Sequence, residues 1–468
     1  MKSYLILLII LSSFVFTINN YSTNEDNLEL NLKISYNILD RNATPNIPKR
    51  HLPSRIIIDD PISEFCNIFT EENATYVIRY EHNVDSLRIP EGSQLFFDGG
   101  SISGKIHFAN TFLSGSVKLH KSHLSGRISN SCFHSGWMCY GDGKHDDAMN
   151  INNIVSICDS IIFQEGTYLL ESSHIPNKDL DKALWNNVKS HIGIFESNKH
   201  FLGTGNVIFL TREINTTLSI YSKPNDIPHS ISNISIKNIK FKIENDCETF
   251  NEFKHSIKTI GVNGLSIENC MFHDFWGDAL CLSHYGDSPI TGERTLNCNV
   301  RISNNIIYGA ARNNRNGISV ISGKHIIVTN NKIIETSKKG MPGAIDIEPN
   351  NSAYTIEDIV ISNNVIYGSN GSGICLIALR EGSPLHNIKI IGNKISKVTY
   401  GLAVVINSED SSDHIMIVNN DFSNTYKDYL FSGEGNSKRW VIRNNSSIPN
   451  IMQIEESGLI ISELNIEH

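Results

Sequence analysis

Arg301-Ile-Ser-Asn-Asn305, Ile327-Val-Thr-Asn-Asn331 and Val360-Ile-Ser-Asn-Asn364 are three copies of one phrase. Each runs alternating apolar residues into a small polar residue and then asparagine. Further copies end at Asn238, Asn269, Asn393, Asn420 and Asn445, so the phrase returns at intervals of 25 to 36 residues. Alternation with period two marks a strand, because successive side chains point to opposite faces. A strand phrase at this spacing, with no helical pattern between copies, predicts coils stacked into a solenoid. Asparagine tolerates the left-handed backbone of a sharp bend. Its amide can also bond the asparagine of the next coil, roughly 4.8 Å away. All eight asparagines are therefore expected to stack at one corner. A second strand is expected after the asparagine at 277–283, 317–322, 343–348, 373–379 and 401–406. Each of these opens on glycine, which suits a tight corner.

These phrases resemble the right-handed parallel β-helix of the pectate-lyase-like superfamily, over roughly residues 136–445. The expected fold is all-β: a right-handed parallel β-helix solenoid with a small β-rich N-terminal segment and one short helix at its mouth. Composition agrees, with only 19% charged residues in a chain of 468. A net charge of −9 with no basic run argues against nucleic acid as a partner. The run Leu5-Ile-Leu-Leu-Ile-Ile-Leu-Ser-Ser-Phe-Val-Phe16 follows a lysine and is short for a membrane span. It reads as an export signal, residues 1–20, so the expected location is secreted or periplasmic, without membrane insertion after signal removal. The remaining divisions are a linker and capping segment at 21–135, the β-helix domain at 136–450 and a tail at 451–468. The nine cysteines fit no zinc spacing. Cys270, Cys281 and Cys375 fall inside strand phrases and are expected in the core.

Two features precede the repeat. Ser103-Gly104, Ser114-Gly115 and Ser125-Gly126 recur every 11 residues, separated by alternating segments. They predict a β-rich cap. Next come Tyr140-Gly-Asp-Gly-Lys-His-Asp-Asp147 and a helix expected over 146–158. This segment resembles the start of β-helix glycosidases and tailspike enzymes. Asp146 and Asp147 are read as a helix cap and clamp rather than as catalytic groups.

Candidate chemistry gathers on neighbouring coils, at similar positions after the asparagine. Asp and Glu are depleted in strands, so propensity does not place them there. In Ala344-Ile-Asp-Ile-Glu348, parity puts Ile345 and Ile347 on one face and Asp346 and Glu348 on the other. Residues two apart are about 6–7 Å apart along a strand, near the separations of glycosidase carboxylate pairs. Asp278 opens a strand two coils earlier. Its phrase Gly277-Asp-Ala-Leu-Cys281 is loosely similar to the Gly-Asp-Asp-Cys phrase of polygalacturonase-type glycosidases, but Ala279 stands where the second aspartate would. Asp278, Asp346 and Glu348 are the candidate catalytic residues. Arg312, Arg315 and Arg380 are suited to bidentate carboxylate binding, and Trp276 and His284 to contacting a sugar. Tyr285, His273 and Asp274 lie close by in sequence. No cofactor and no metal cluster is expected.

The reading is an enzyme that cleaves glycosidic bonds of a polysaccharide or oligosaccharide by carboxylate acid/base hydrolysis. Two alternatives stay open. One is a lyase acting by β-elimination on a uronic-acid polymer. The other is a non-catalytic carbohydrate-binding solenoid.

Overall fold

The computed structural model describes residues 54–58, 65–173, 189–221, 231–244, 250–284, 296–309, 313–349, 354–379, 385–407, 412–447, 449 and 451–467, which fall in one compact unit. The expected export signal lies outside the described residues. Among the described residues no helix is long and apolar enough to cross a membrane.

One coil shows the plan. Gly323–Thr329 is the long strand, Lys332–Ile334 a short one, and Gly343–Ile347 a third. Each pairs in parallel with its counterpart in the next coil: Ile356–Ser362, Val365–Tyr367 and Ser372–Ala378. Repetition builds three parallel sheets. Sheet A holds the long strands and has twelve members, and sheets B and C have nine each. The three-residue strands of sheet B were hidden inside the asparagine phrase, which sequence reading took as a bend.

The coil interior is a set of aliphatic columns. Ile302, Val328, Ile361, Ile390, Ile417 and Ile442 stand in register in sheet A. Ile307, Ile333, Ile366 and Ile395 do so in sheet B, and Ile318, Ile345, Ile374 and Leu402 in sheet C. All are fully buried. Burying one such side chain contributes about 1.5–3 kcal/mol, and a slip of one residue would turn the whole strand inside out. Toward the N-terminal end the column becomes aromatic, with Phe241 stacked on Phe272 at 5.0 Å.

The asparagines form two columns rather than one. Asn305, Asn331, Asn364, Asn393, Asn420 and Asn445 make the ladder. Asn331 Nδ2 donates to Asn364 Oδ1 at 3.0 Å, and the Asn331 backbone N–H donates to the same oxygen at 2.9 Å. The second hydrogen of Asn331 Nδ2 goes back to the Ile302 carbonyl at 3.0 Å. The same set repeats at Asn364, Asn393 and Asn420. The left-handed bend belongs to the residue before: Asn304, Asn330, Asn363, Gly392, Asn419 and Asn444. Asn238 and Asn269 are bend residues too, with φ of 59° and 54°. Their expected place in the ladder is therefore corrected. At that coil Cys270 holds the position, its N–H donating to Asn305 Oδ1 at 2.9 Å. One side chain cannot both sit at the bend and reach along the stack.

The N-terminal segment is a parallel β structure in its own right. Ser101–Gly115 pairs with Glu81–Arg88, Gln94–Phe97 and Ser122–Ile128. The 11-residue glycines are required by space: at Gly104, φ is 107° and a Cβ would lie 1.8 Å from the Val84 carbonyl. One hydrophobic core runs from Ile58 to Leu459, so cap and coils share it. The helix Ala148–Ile157 begins two residues later than expected. Asp147, fully buried, accepts the Tyr140 and Gly141 amides at 2.9 Å each. Asp146 accepts the amides of Ala148, Glu171 and Ser172. Both tie the helix start to neighbouring chain. At the far end, Ile460–Glu467 adds a last parallel strand to sheet A beside Asn436–Arg443.

Removing a ladder side chain strands buried partners, each unsatisfied group costing about 1–3 kcal/mol. Asn364→Ala leaves the Asn331 N–H and the Val328 carbonyl without their partner. Asn238→Ala loses one long bond, 3.4 Å, to the Gly203 carbonyl. Thermal melting should place the Asn364 variant several degrees below the Asn238 variant. Equal shifts would show that the ladder is not the stronger column.

Candidate functional site

Sheet C carries the chemistry because its outward row is polar. In register along it stand Lys258, Cys281, Ser319, Asp346, Cys375 and Ala403. The alternate residues, among them Ile318, Val320, Ile345 and Ile347, fill the core. Cys281 and Cys375 are buried as expected, but on the outward row, where they flank the site, and not in the aliphatic columns. The eight described cysteines are all free thiols.

Arg315 is the hub. It precedes Ile318–Val320, and its N–H donates to the Gly277 carbonyl of the coil before. Its guanidinium Nη1 reaches Asp278 at 3.2 Å and Ser319 Oγ at 3.1 Å. Its Nη2 reaches Asp346 at 3.4 Å and Glu348 at 2.9 Å. Asn316 fixes the same groups from behind. Its amide N–H donates to Asp278 Oδ1, and its Nδ2 donates to Asp346 Oδ2 at 2.9 Å and to Ser319 Oγ at 3.0 Å. Gly343 lies here for close approach, not for a corner: a Cβ would stand 2.2 Å from the Ser372 carbonyl, and its φ is not positive.

The carboxyls differ in exposure. The side chains of Asp278 and Asp346 have no exposure at all, whereas those of Arg315 and Glu348 keep 15% and 18%. They differ in charge as well. Burial pushes the Asp346 carboxyl well above its ordinary value, and the neighbouring Glu348 adds to this, with Arg315 opposing. Its Oδ1 accepts nothing. At Asp278 burial also works upward and is the largest influence, but Arg315, His255 and Ser319 together outweigh it, and the group stays below its ordinary value. Burial therefore favours the protonated form at Asp346, while Arg315 and His255 favour the charged form at Asp278. For Arg315, burial opposes the charge and Asp278 and Asp346 restore it, so it is held above its ordinary value.

The other sequence candidates separate. Trp276 is 1% exposed and packed in the core, so it cannot stack on a sugar; that expectation is corrected. His284 is buried against the Tyr354 ring at 4.5 Å. His273 and Asp274 lie 3.3 Å apart. Arg312, Arg380 and Tyr285 lie outside the described residues. Sequence reading missed His255, Asn316 and Ser319. His255 Nδ1 accepts the Asp278 amide at 3.1 Å, and burial keeps the ring below its ordinary value. The visible signal for Asn316 was its place between Arg315 and Gly317, at the opening of a sheet C strand.

His255, Asp278 and Cys281 bring three ligand types within 4.8 Å. They do not suit a cation. Both Asp278 oxygens and the His255 Nδ1 are already engaged, Arg315 sits on the carboxylate, and burial, with Asp278 adding, pushes the Cys281 thiol up to about 12.

No protein-family model matches the chain, and no curated protein does. Solved structures do. A surface adhesin of Streptococcus pneumoniae is 12% identical, with 72% of this chain and 92% of the adhesin covered and a TM-score of 0.36. A tailspike protein of an Acinetobacter baumannii bacteriophage, a capsular polysaccharide depolymerase, is 11% identical, with coverages of 73% and 63% and a TM-score of 0.43. The A-module of a mannuronan C-5 epimerase of Azotobacter vinelandii is 10% identical, with coverages of 70% and 93% and a TM-score of 0.37. The chain itself is a parallel β-helix of three stacked sheets. Likeness at these identities is one of fold, and a fold does not carry its chemistry with it.

The charge assignment has a consequence for stability. A carboxyl whose folded pKa is raised supports the fold fully below its unfolded pKa, near 3.8, and loses that contribution as pH rises through the folded value. The melting temperature of the parent minus that of Asp346→Asn should therefore fall as pH rises from about 4. A difference that grows with pH would mean Asp346 is ionised in the fold.

Proposed function

We propose that the chain is an exported carbohydrate-active enzyme, and that the Asp278–Arg315–Asp346–Glu348 cluster hydrolyses glycosidic bonds of a polysaccharide. The observation that carries this reading is that Asp278, Asp346 and Glu348 converge on one guanidinium with only Glu348 reaching solvent, while burial raises Asp346 and Arg315 helps hold Asp278 down. Environments that push two acids apart are how proteins assign acid and base roles. Glu348 is the member with access to solvent, so it meets the glycosidic oxygen. Asp346, against it, is its proton source; as the glycosidic C–O bond breaks and the leaving oxygen takes that proton, water bonds to the anomeric carbon and gives its proton back to the Asp346–Glu348 pair. Asp278 is ionised, sealed and bonded to Arg315, which makes it a positioning residue. Arg315 is committed to three carboxyls of its own chain. It is not free to neutralise a uronic carboxylate, and this favours hydrolysis over β-elimination.

Loss of a general acid or base lowers turnover about 10²–10⁴-fold. Glu348→Gln and Asp346→Asn should lose activity on that scale on the polysaccharide that a depolymerisation screen identifies, while staying folded. Asp146→Asn should keep turnover and melt lower, because Asp146 clamps the helix start. The products should carry a new reducing end and no ultraviolet-absorbing unsaturated sugar. An absorbing product would establish the lyase instead, and near-full turnover in both carboxyl variants would remove this cluster from the chemistry.

A further inference from the structure

Toward the N-terminal end, the outward row of sheet C changes character. Gly193, Ser219 and Lys258 occupy it before Cys281 and Ser319. Thr217 stands two residues before Ser219 in its strand, and Ser256 immediately precedes the strand Ile257–Ile260 that carries Lys258. The hydroxyls of Thr217, Ser219 and Ser256 are buried, each residue at most 2% exposed, and none has a hydrogen-bond partner. Buried hydroxyls without partners are expensive and rarely left so.

Three lysines lie within or just ahead of the same run of sheet C strands. Lys189 leads into Ser190–Ile194, and Lys254 stands three residues before Ile257–Ile260, two coils further on. Lys258 lies within that second strand. Lys189 is exposed, Lys254 half-buried and Lys258 only 8% exposed, so the three descend from solvent to the hydroxyl floor. Lys254 feels both others: burial first, then Lys258 and Lys189, hold it below its ordinary value. The acid that acts on Lys258 is Asp278, whose oxygens are spent on Arg315 and the Asn316 amide.

We propose that Lys189, Lys254, Lys258 and the hydroxyls of Thr217, Ser219 and Ser256 form a binding site for an oxyanion, the carboxylate or sulfate of an acidic glycan. Ammonium and hydroxyl groups both donate, and a compact oxyanion accepts several donors at once. A neutral sugar would leave the three charges uncompensated, and a cation would be repelled. Lys258 is three coils from Asp346, about 14 Å at ~4.8 Å per coil. The charged unit is thus a different sugar from the one at Glu348, further along the same bound chain. The glycan identity of the ligand rests on the proposed cleavage at Glu348; the oxyanion site itself does not.

Sodium sulfate is the first probe, titrated against sodium chloride at matched ionic strength, with the melting temperature of the full-length protein as readout. The parent should show a saturable rise with sulfate. Lys258→Met and the milder, more exposed Lys254→Gln should each weaken the half-saturating sulfate about tenfold, the effect of one lost charge-assisted bond. The same sulfate response in parent and both variants would mean general salting and would overturn the site. Retention of a polyuronate, a sulfated and a neutral polysaccharide then separates the sources. Binding of either acidic polymer supports the proposal and names the group, while retention of the neutral one alone overturns it. Glu348→Gln should abolish cleavage yet keep the sulfate response. Cleavage intact with no sulfate response in the parent would therefore sink this site and leave the Glu348 reading standing.

Discussion

Register between stacked coils is the constraint on which everything else depends. It is held at one corner by Asn305, Asn331, Asn364, Asn393, Asn420 and Asn445, each bonded to the next through side chain and backbone together. An asparagine there uses both amide hydrogens and accepts twice on its oxygen, so no buried polar atom of the column is wasted. Aspartate could accept but not donate, and leucine would strand the adjoining backbone. With this corner fixed, the isoleucines of all three sheets fall into columns, and the intervals between phrases can vary freely in the loops.

A fixed register also decides what meets what on the outside. The neighbours of Asp346 along the outward row are Ser319 and Cys375, neither of them charged. Its charged contacts come instead from Glu348 on its own strand and from Arg315, which reaches over from the coil before. Any shift of one residue would send Asp346 inward and Ile345 outward. The candidate site is thus a by-product of the same stacking that builds the core.

Sequence reading reached the coil repeat, the outward parity of Asp346 and Glu348, and Arg315 as a cation beside them, because all of these depend on period two and on spacing. It failed where two positions share one residue type. Asn304 and Asn305 look alike in a sequence, yet the backbone gives one the bend and the other the ladder. Asn238 and Asn269 were misassigned for that reason. Trp276 failed differently. Near Gly277 the chain bends before sheet C begins, so parity counted along the sequence does not say which side is covered. His255 and Lys258 were invisible because the strand Ile257–Ile260 and the residues leading into it fall between two phrases and carry no asparagine repeat of their own.

The burial of Asp278, Arg315 and Asp346 is itself an argument for chemistry. Ion clusters taken out of water seldom add stability, since desolvation offsets their attraction, and apolar replacements of similar volume are often at least as stable. The same row shows this alternative in the same molecule: one and two coils beyond Cys375, the outward positions are Ala403 and Leu430. A fold that satisfies this row with apolar side chains there has no structural need for three carboxyls around an arginine here. What the cluster provides is a buried carboxyl, Asp346, whose surroundings favour its protonated form, beside the one carboxyl of the three, that of Glu348, which solvent reaches. That arrangement serves proton transfer to something arriving from outside, and it is the reason to look for the bond being broken at Glu348 rather than elsewhere on the solenoid.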